Sequence, residues 1–173
     1  HQTGGDENLR ERVSRASRLS KADLVSQVVN EFPKLQGVMG RIYTMLAGEE
    51  KNTAIAIEEH YQPTHSGGPL PATMEGAIVA IADKIDTICG CFSAGLIPTG
   101  ASDPYALRRQ GIGILQIMAD KKFTFSIHNL IGESAALFKE KCGKDTDRAA
   151  QMVYNFLKDR IAHLLIEGGH AKD

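Results

Sequence analysis

The chain has 173 residues, room for one ordinary domain or two small ones. Its 20 Lys+Arg balance 21 Asp+Glu for a formal net charge of −1. That balance excludes a uniformly basic nucleic-acid coat, an acidic solvating tail and a polybasic membrane adaptor. At 42% hydrophobic and 24% charged residues, the composition is that of a folded soluble globule. No apolar run approaches the roughly 18 residues that span a bilayer. The richest, Ala77 to Ala82, stops at Asp83. The opening HQTGGDENLR has no apolar h-region and no initiator Met, so no signal peptide is expected and the chain reads as cut from something longer. Cys89, Cys91 and Cys142 form neither a zinc spacing nor a disulfide framework. A reducing, cytoplasmic location is therefore expected.

Helical periodicity runs through almost the whole chain. Residues 1–8 are expected to be a disordered tail. Leu9, Val13 and Ala16 recur at spacings of four and three, and Leu24, Val28 and Val29 carry the pattern to Phe32, where Pro33 breaks it. A second helix is expected from about Leu35 to Leu46, stopping at Gly48, and a third over Asn52–His60. YQPTHSGGPLP must be a loop. Thr73 to about Phe92 is the most apolar helix, with Met74, Ile78, Ile81, Ile85, Ile88 and Phe92 in one stripe, so it is expected to be central and largely buried. GLIPTGASDP follows as a turn-rich loop. Asp103-Pro104 reads as an N-cap with Pro at the first helical position, opening a helix to about Ala119 whose inner face is Leu107, Gly111, Ile114 and Met118. Lys122–Ile127 is a possible short strand. Helices from about Leu130 to Lys141 and from Thr146 to about Ile166 complete the chain, ahead of a tail over 169–173. The expected fold is all-α, one domain of about seven helices over 9–168. An alternative division has the final two helices, 128–168, begin a separate unit.

Several groups are candidates for chemistry. Asp83 and Asp86 share a face of the central helix, where two carboxylates three apart can hold a divalent ion or simply face water. His60 closes a helix, where the helix dipole alone favours it, and enters the loop that holds His65. Asp23 is either at the third position of a helix capped by Ser20, or an interior charge of a longer helix. No G-x-S-x-G, Walker A or G-x-G-x-x-G sequence is present. Arg12, Arg15 and Arg18 recur every three residues, a basic stripe that suits a phosphate backbone, or a solvated face offset by Glu7 and Glu11. Arg108 and Arg109 oppose the dipole of the helix they begin, which asks for a carboxylate partner or an RNA phosphate.

Asp23, His60 and Asp83 together resemble an HD-type helical domain, whose metal-dependent phosphohydrolases grip metal through a His, a His-Asp pair and a distal Asp. EEHYQPTHSGGPLP followed by IADKID resembles the HD-GYP branch. The departures are large: Ala22 precedes Asp23 where a His should stand, and no His lies between His1 and His60. Carboxylates do not replace neutral imidazoles in such a site. A degenerate HD-like bundle is expected, with Asp23, His60, Asp83 and Asp86 as at most a vestigial metal site.

A second resemblance is more specific. KADLVSQVVNEFPKLQGVMGRIY, AIEEHYQP with the following PLP, and ADK-x-DT, G-x-x-PTG and DP-x-ALRR in order resemble the middle region of the β subunit of bacterial heterotetrameric glycyl-tRNA synthetase. The resemblance covers Leu9 to Gly168. It implies a share in charging tRNA(Gly) with glycine inside an α2β2 assembly. It also implies that ATP, Mg and glycine are handled by the α subunit and that this segment has no cofactor or catalytic residue of its own. Arg12, Arg15, Arg18, Arg108 and Arg109 are then candidate tRNA contacts. Two other readings stay open: a live phosphohydrolase acting on a nucleotide, and a purely structural docking domain.

Overall fold

The computed structural model describes residues 7–139 and 146–167. Among them are eight α-helices, α1 (Glu7–Leu19), α2 (Gln27–Glu31), α3 (Val38–Leu46), α4 (Lys51–Glu59), α5 (Met74–Ala94), α6 (Leu107–Asp120), α7 (Ile127–Ala136) and α8 (Thr146–Glu167). Short 3-10 turns stand at Ala22–Val25 and Pro33–Leu35. There is no strand among the described residues; the sole bridge pairs Thr99 with Ser102. The fold is all-α, as the periodicity implied.

The chain divides into two compact units. One is built on the described residues up to Ala82 together with Asp120–Phe123; the other on Asp83–Ala119 and the described residues from Thr124 onward. The division therefore falls inside α5, not ahead of residue 128. In the first unit Ala16 of α1, Ala56 and Ile57 of α4 and Val79 of α5 form a buried cluster, flanked by Val13 and Leu19. In the second, Ile85, Ile88 and Phe92 of α5 are buried with Ile114 and Ile117 of α6, Ile131 of α7 and Val153 and Leu157 of α8. A Cβ on Gly111 would stand 3.0 Å from a terminal methyl of Leu157, so α6 and α8 pack closely there.

Local differences from the sequence reading have local causes. Helix α1 begins at Glu7, inside the stretch expected to be a tail; residues 1–6 and the 169–173 tail lie outside the described residues. The helix through Phe32 is broken after Leu19. Ser20 bonds back to the Ser17 carbonyl at 2.9 Å instead of capping, and it is Ser26 that caps α2 by accepting from Val29 N. Lys122–Ile127 is not a strand: Lys122 has φ +53 and Ser126 caps α7, which starts at Ile127. Helix α6 begins at Leu107, three residues after Pro104, because Ala106 has φ +53. Met74 of the apolar stripe is exposed, while Lys84 on the same helix is buried.

Candidate functional site

The basic stripe of α1 is largely neutralised. Arg12 Nε donates to Glu75 Oε1 at 2.6 Å, and its guanidinium also lies 3.7 Å from Glu50. Arg15 forks onto Glu49, with Nε 3.0 and 3.1 Å from the two carboxylate oxygens. The hydrogen bond from Arg15 holds the Glu49 carboxyl below its ordinary range, and Glu49 raises Arg15 in turn. The groove beside these side chains, of about 580 Å3, is walled by carboxylates as well as guanidinia. The offsetting acids are thus Glu49, Glu50 and Glu75, rather than Glu7 and Glu11; only Glu7 reaches an arginine, Arg10, at 3.7 Å. Arg18, the last cation of the stripe, is exposed and meets no carboxylate among the described residues.

Arg108 and Arg109 sit in the first turn of α6. Asp103 accepts from Leu107 N at 2.8 Å and Arg108 N at 2.9 Å, so its carboxylate caps the helix across the intervening turn. That negative charge offsets the unfavourable dipole at the two cations. Neither guanidinium reaches a carboxylate among the described residues. Arg108 is half-buried and Arg109 exposed.

Asp23 and His60, both buried, are engaged in holding the backbone. Asp23 Oδ2 accepts from Gly37 N at 2.7 Å and Gly40 N at 3.0 Å, which caps α3 from outside its own element. Gly40 allows that approach: a Cβ there would be 3.3 Å from the Asp23 carboxylate and 2.7 Å from Ile57. His60 Nδ1 lies 2.6 Å from the Ile57 carbonyl, and Nε2 lies 2.9 Å from Lys21 Nζ. A carbonyl only accepts and an ammonium only donates, so Nδ1 carries the ring hydrogen and the Nε2 lone pair faces Lys21. Lys21 Nζ also stands 4.4 Å from the Tyr61 ring centroid.

Asp83 is half-buried and Asp86 exposed, and the Asp83 carbonyl accepts the Thr87 hydroxyl at 2.9 Å. Among the described residues no group of three His, Cys, Asp or Glu side chains is placed to hold a metal ion. The structural pairs that local reading missed are Glu75, Glu49 and Lys21. Glu59 is another. Its buried carboxylate accepts from Ala72 N and Thr73 N at 3.0 Å each and from the Thr73 hydroxyl, clamping the start of α5. Its place beside His60 gave no hint of this.

Cys89 and Cys91 are both free thiols. Burial pushes the Cys89 thiol up to about 11, with Asp86 adding to the shift. Half-buried Cys91 is also raised, by burial and then by Asp103. Thiolate is the reactive form, so at pH 8 Cys89 holds on the order of a hundredfold less of it than an ordinary cysteine. Iodoacetamide labelling of the native chain followed by peptide mass spectrometry is expected to modify Cys91 well before Cys89. Equal rates would contradict the buried placement of Cys89. Cys142 lies outside the described residues.

The described residues are thus helical, and Asp23, Glu59 and His60 are engaged with the chain's own backbone. Comparison with known proteins makes the assignment specific. The family model for the glycyl-tRNA synthetase beta subunit matches residues 3–173, and the chain belongs to that family. It is 54% identical over 168 residues to the glycine–tRNA ligase beta subunit of Desulforapulum autotrophicum, covering 97% of this chain and 24% of that protein. It is 49% identical to the corresponding protein of Desulfatibacillum aliphaticivorans, over 94% of this chain and 24% of that one. It is 47% identical to that of Syntrophus aciditrophicus, over 97% and 24%. The chain thus spans about a quarter of the length of these relatives. No helix among the described residues is long and apolar enough to cross a membrane.

Proposed function

We propose that this segment positions tRNA(Gly) and supports the β subunit of a cytoplasmic glycine–tRNA ligase, running no chemical step itself. The enzymatic part of the reading rests on the family and on the name its relatives carry. The α subunit is the partner in an α2β2 assembly and takes ATP, Mg and glycine. The observation that supports the RNA role is the exposure of Arg18 and Arg109, with half-buried Arg108, none meeting a carboxylate among the described residues. Guanidinia without carboxylate partners suit phosphate oxygens, and recognition of this kind needs geometry rather than base readout. Arg12 and Arg15, candidates on the same stripe, would first have to leave Glu75 and Glu49. Their primary role is to tie α1 to its neighbours.

Hydrolysis is the weaker reading because its donors are engaged: Lys21 faces the His60 Nε2 lone pair and two backbone N–H groups hold Asp23. In the assembled enzyme, Arg18→Glu with Arg108→Glu and Arg109→Glu is expected to raise the KM for tRNA about tenfold or more. Glycine-dependent ATP–pyrophosphate exchange should stay unchanged. An unaltered KM would sink the RNA role and leave scaffolding alone.

A further inference from the structure

The exposed aromatic side chains among the described residues are Phe32, Tyr43 and Tyr105. Their neighbours differ. No arginine lies within four positions of Phe32, and the one near Tyr43, Arg41, is paired with Glu58. Tyr105 is 49% exposed and is followed by Arg108 and Arg109, whose guanidinia meet no carboxylate among the described residues. The backbone that joins the three is fixed. Ala106 N donates to the Asp103 carbonyl at 3.0 Å, and Gln110 N to the Ala106 carbonyl at 3.0 Å. The Gln110 side-chain amide donates to the Tyr105 carbonyl, also at 3.0 Å. The bond from Gln110 to Ala106 places both arginines in the helical turn that opens at Ala106. Residues three apart in such a turn have Cα atoms about 5 Å apart, and one further peptide adds at most about 3.8 Å. The Cα atoms of Arg108 and Arg109 therefore stand within about 10 Å of that of Tyr105.

A ring and a guanidinium that close together can hold one nucleotide at two points. The aromatic face stacks the base, and the guanidinium takes a neighbouring phosphate. Such a base has to be unpaired, because a base inside a duplex already has both faces covered. The hydrogen bonds around Tyr105 fix its backbone beforehand, so less ordering is needed when the base arrives. The end of α6 is not itself the binding group. Asp103 already accepts from the amides of Leu107 and Arg108, so the side chains carry the recognition. Charge also selects the occupant. An apolar protein surface laid over Tyr105 would strip water from two cations and return no counter-charge. RNA supplies the phosphates those cations lack.

We propose that Tyr105, with Arg108 and Arg109 beside it, stacks an unpaired nucleotide of the bound tRNA. The proposal rests on the RNA reading above and adds which part of the RNA this segment meets: a single-stranded nucleotide, not the duplex backbone alone. Stacking accepts any base, so it needs no sequence readout. The test compares wild type, Tyr105→Ala and Tyr105→Phe in the assembled enzyme, with tRNA(Gly) binding measured over a range of salt. Tyr105→Ala is expected to weaken binding about tenfold or more. The slope of log K against log salt should not change, because no cation is lost. Tyr105→Phe keeps the ring and should stay within about twofold of wild type. Digestion of the bound tRNA with a single-strand-specific nuclease gives a second readout. In Tyr105→Ala an unpaired nucleotide should lose protection, and its position, in the 3′ end or in a loop, identifies the part held. Unchanged affinity in Tyr105→Ala would overturn the proposal. So would equal losses in the Ala and Phe variants, which would assign the effect to the hydroxyl, or altered protection confined to paired nucleotides. If Tyr105→Ala is silent while the arginine changes still weaken binding, stacking fails and the RNA reading stands. If the arginine changes are silent as well, both fail.

Discussion

Asp23→Ala is expected to lower the unfolding free energy of the 173-residue chain by about 3–4 kcal/mol. The two bonds that cap α3 are lost together: the N–H groups of Gly37 and Gly40, both at buried residues, lose their acceptor, and each orphaned donor costs about 1–3 kcal/mol. Water cannot easily substitute, since Gly40 packs directly on Asp23 and Ile57. Asp23→Asn keeps an acceptor oxygen and should cost only about 1 kcal/mol. Urea unfolding of the three proteins checks this. A near-wild-type Asp23→Ala would mean that the carboxylate does not hold the backbone.

Gly76→Ala is expected to destabilise by about 2–4 kcal/mol, the reverse of the usual sign. In a helix an alanine normally gains about 1 kcal/mol over glycine. At Gly76 the added Cβ would stand 2.2 Å from Glu59 Oε2 and 2.7 Å from Glu59 Cβ. The carboxylate cannot swing away cheaply, because Ala72, Thr73 and the Thr73 hydroxyl fix it at the start of α5. Displacing it leaves a buried charge without its donors. Gly132→Ala in α7 is the internal comparison: nothing lies within 4 Å of its Cβ, so that change should stabilise by about 0.5–1 kcal/mol. If both changes moved stability in the same direction, the Glu59 clamp would not be rigid.

What was legible in the sequence was whatever depends on near neighbours. The burial of Ile81, Ile85, Ile88 and Phe92 follows from spacing along α5 alone. The close packing at Gly111 followed from a small residue inside a helical pattern. The charge partners were not legible, because they lie far along the chain. Gly37 and Gly40 are 14 and 17 residues from Asp23, Glu49 is 34 from Arg15, and Glu75 is 63 from Arg12. A basic stripe and a salt-bridged face look alike until the fold brings the acids in. The break after Leu19 was hidden for the same reason, since Asp23 turns away from α1 to serve α3.

These placements also change what the HD-like resemblance means. Asp23 serves as a helix cap and His60 as a carbonyl-bonded ring facing Lys21. Each has a structural role of its own. What is left for the surface is a short list of guanidinia, and a net charge of −1 is compatible with that. The balance excludes a protein that is basic all over, yet permits three arginines to face phosphate on a neutral scaffold.

The most direct measurement is the salt dependence of tRNA(Gly) binding by the assembled enzyme. Wild type would be compared with a variant carrying Arg18→Gln, Arg108→Gln and Arg109→Gln. Each lost phosphate contact removes about one released counterion from the slope of log K against log salt. If all three arginines face phosphate, the slope becomes shallower by about two to three, and affinity at low salt falls. An identical slope and affinity in the two enzymes would contradict the proposed role of this segment in holding tRNA.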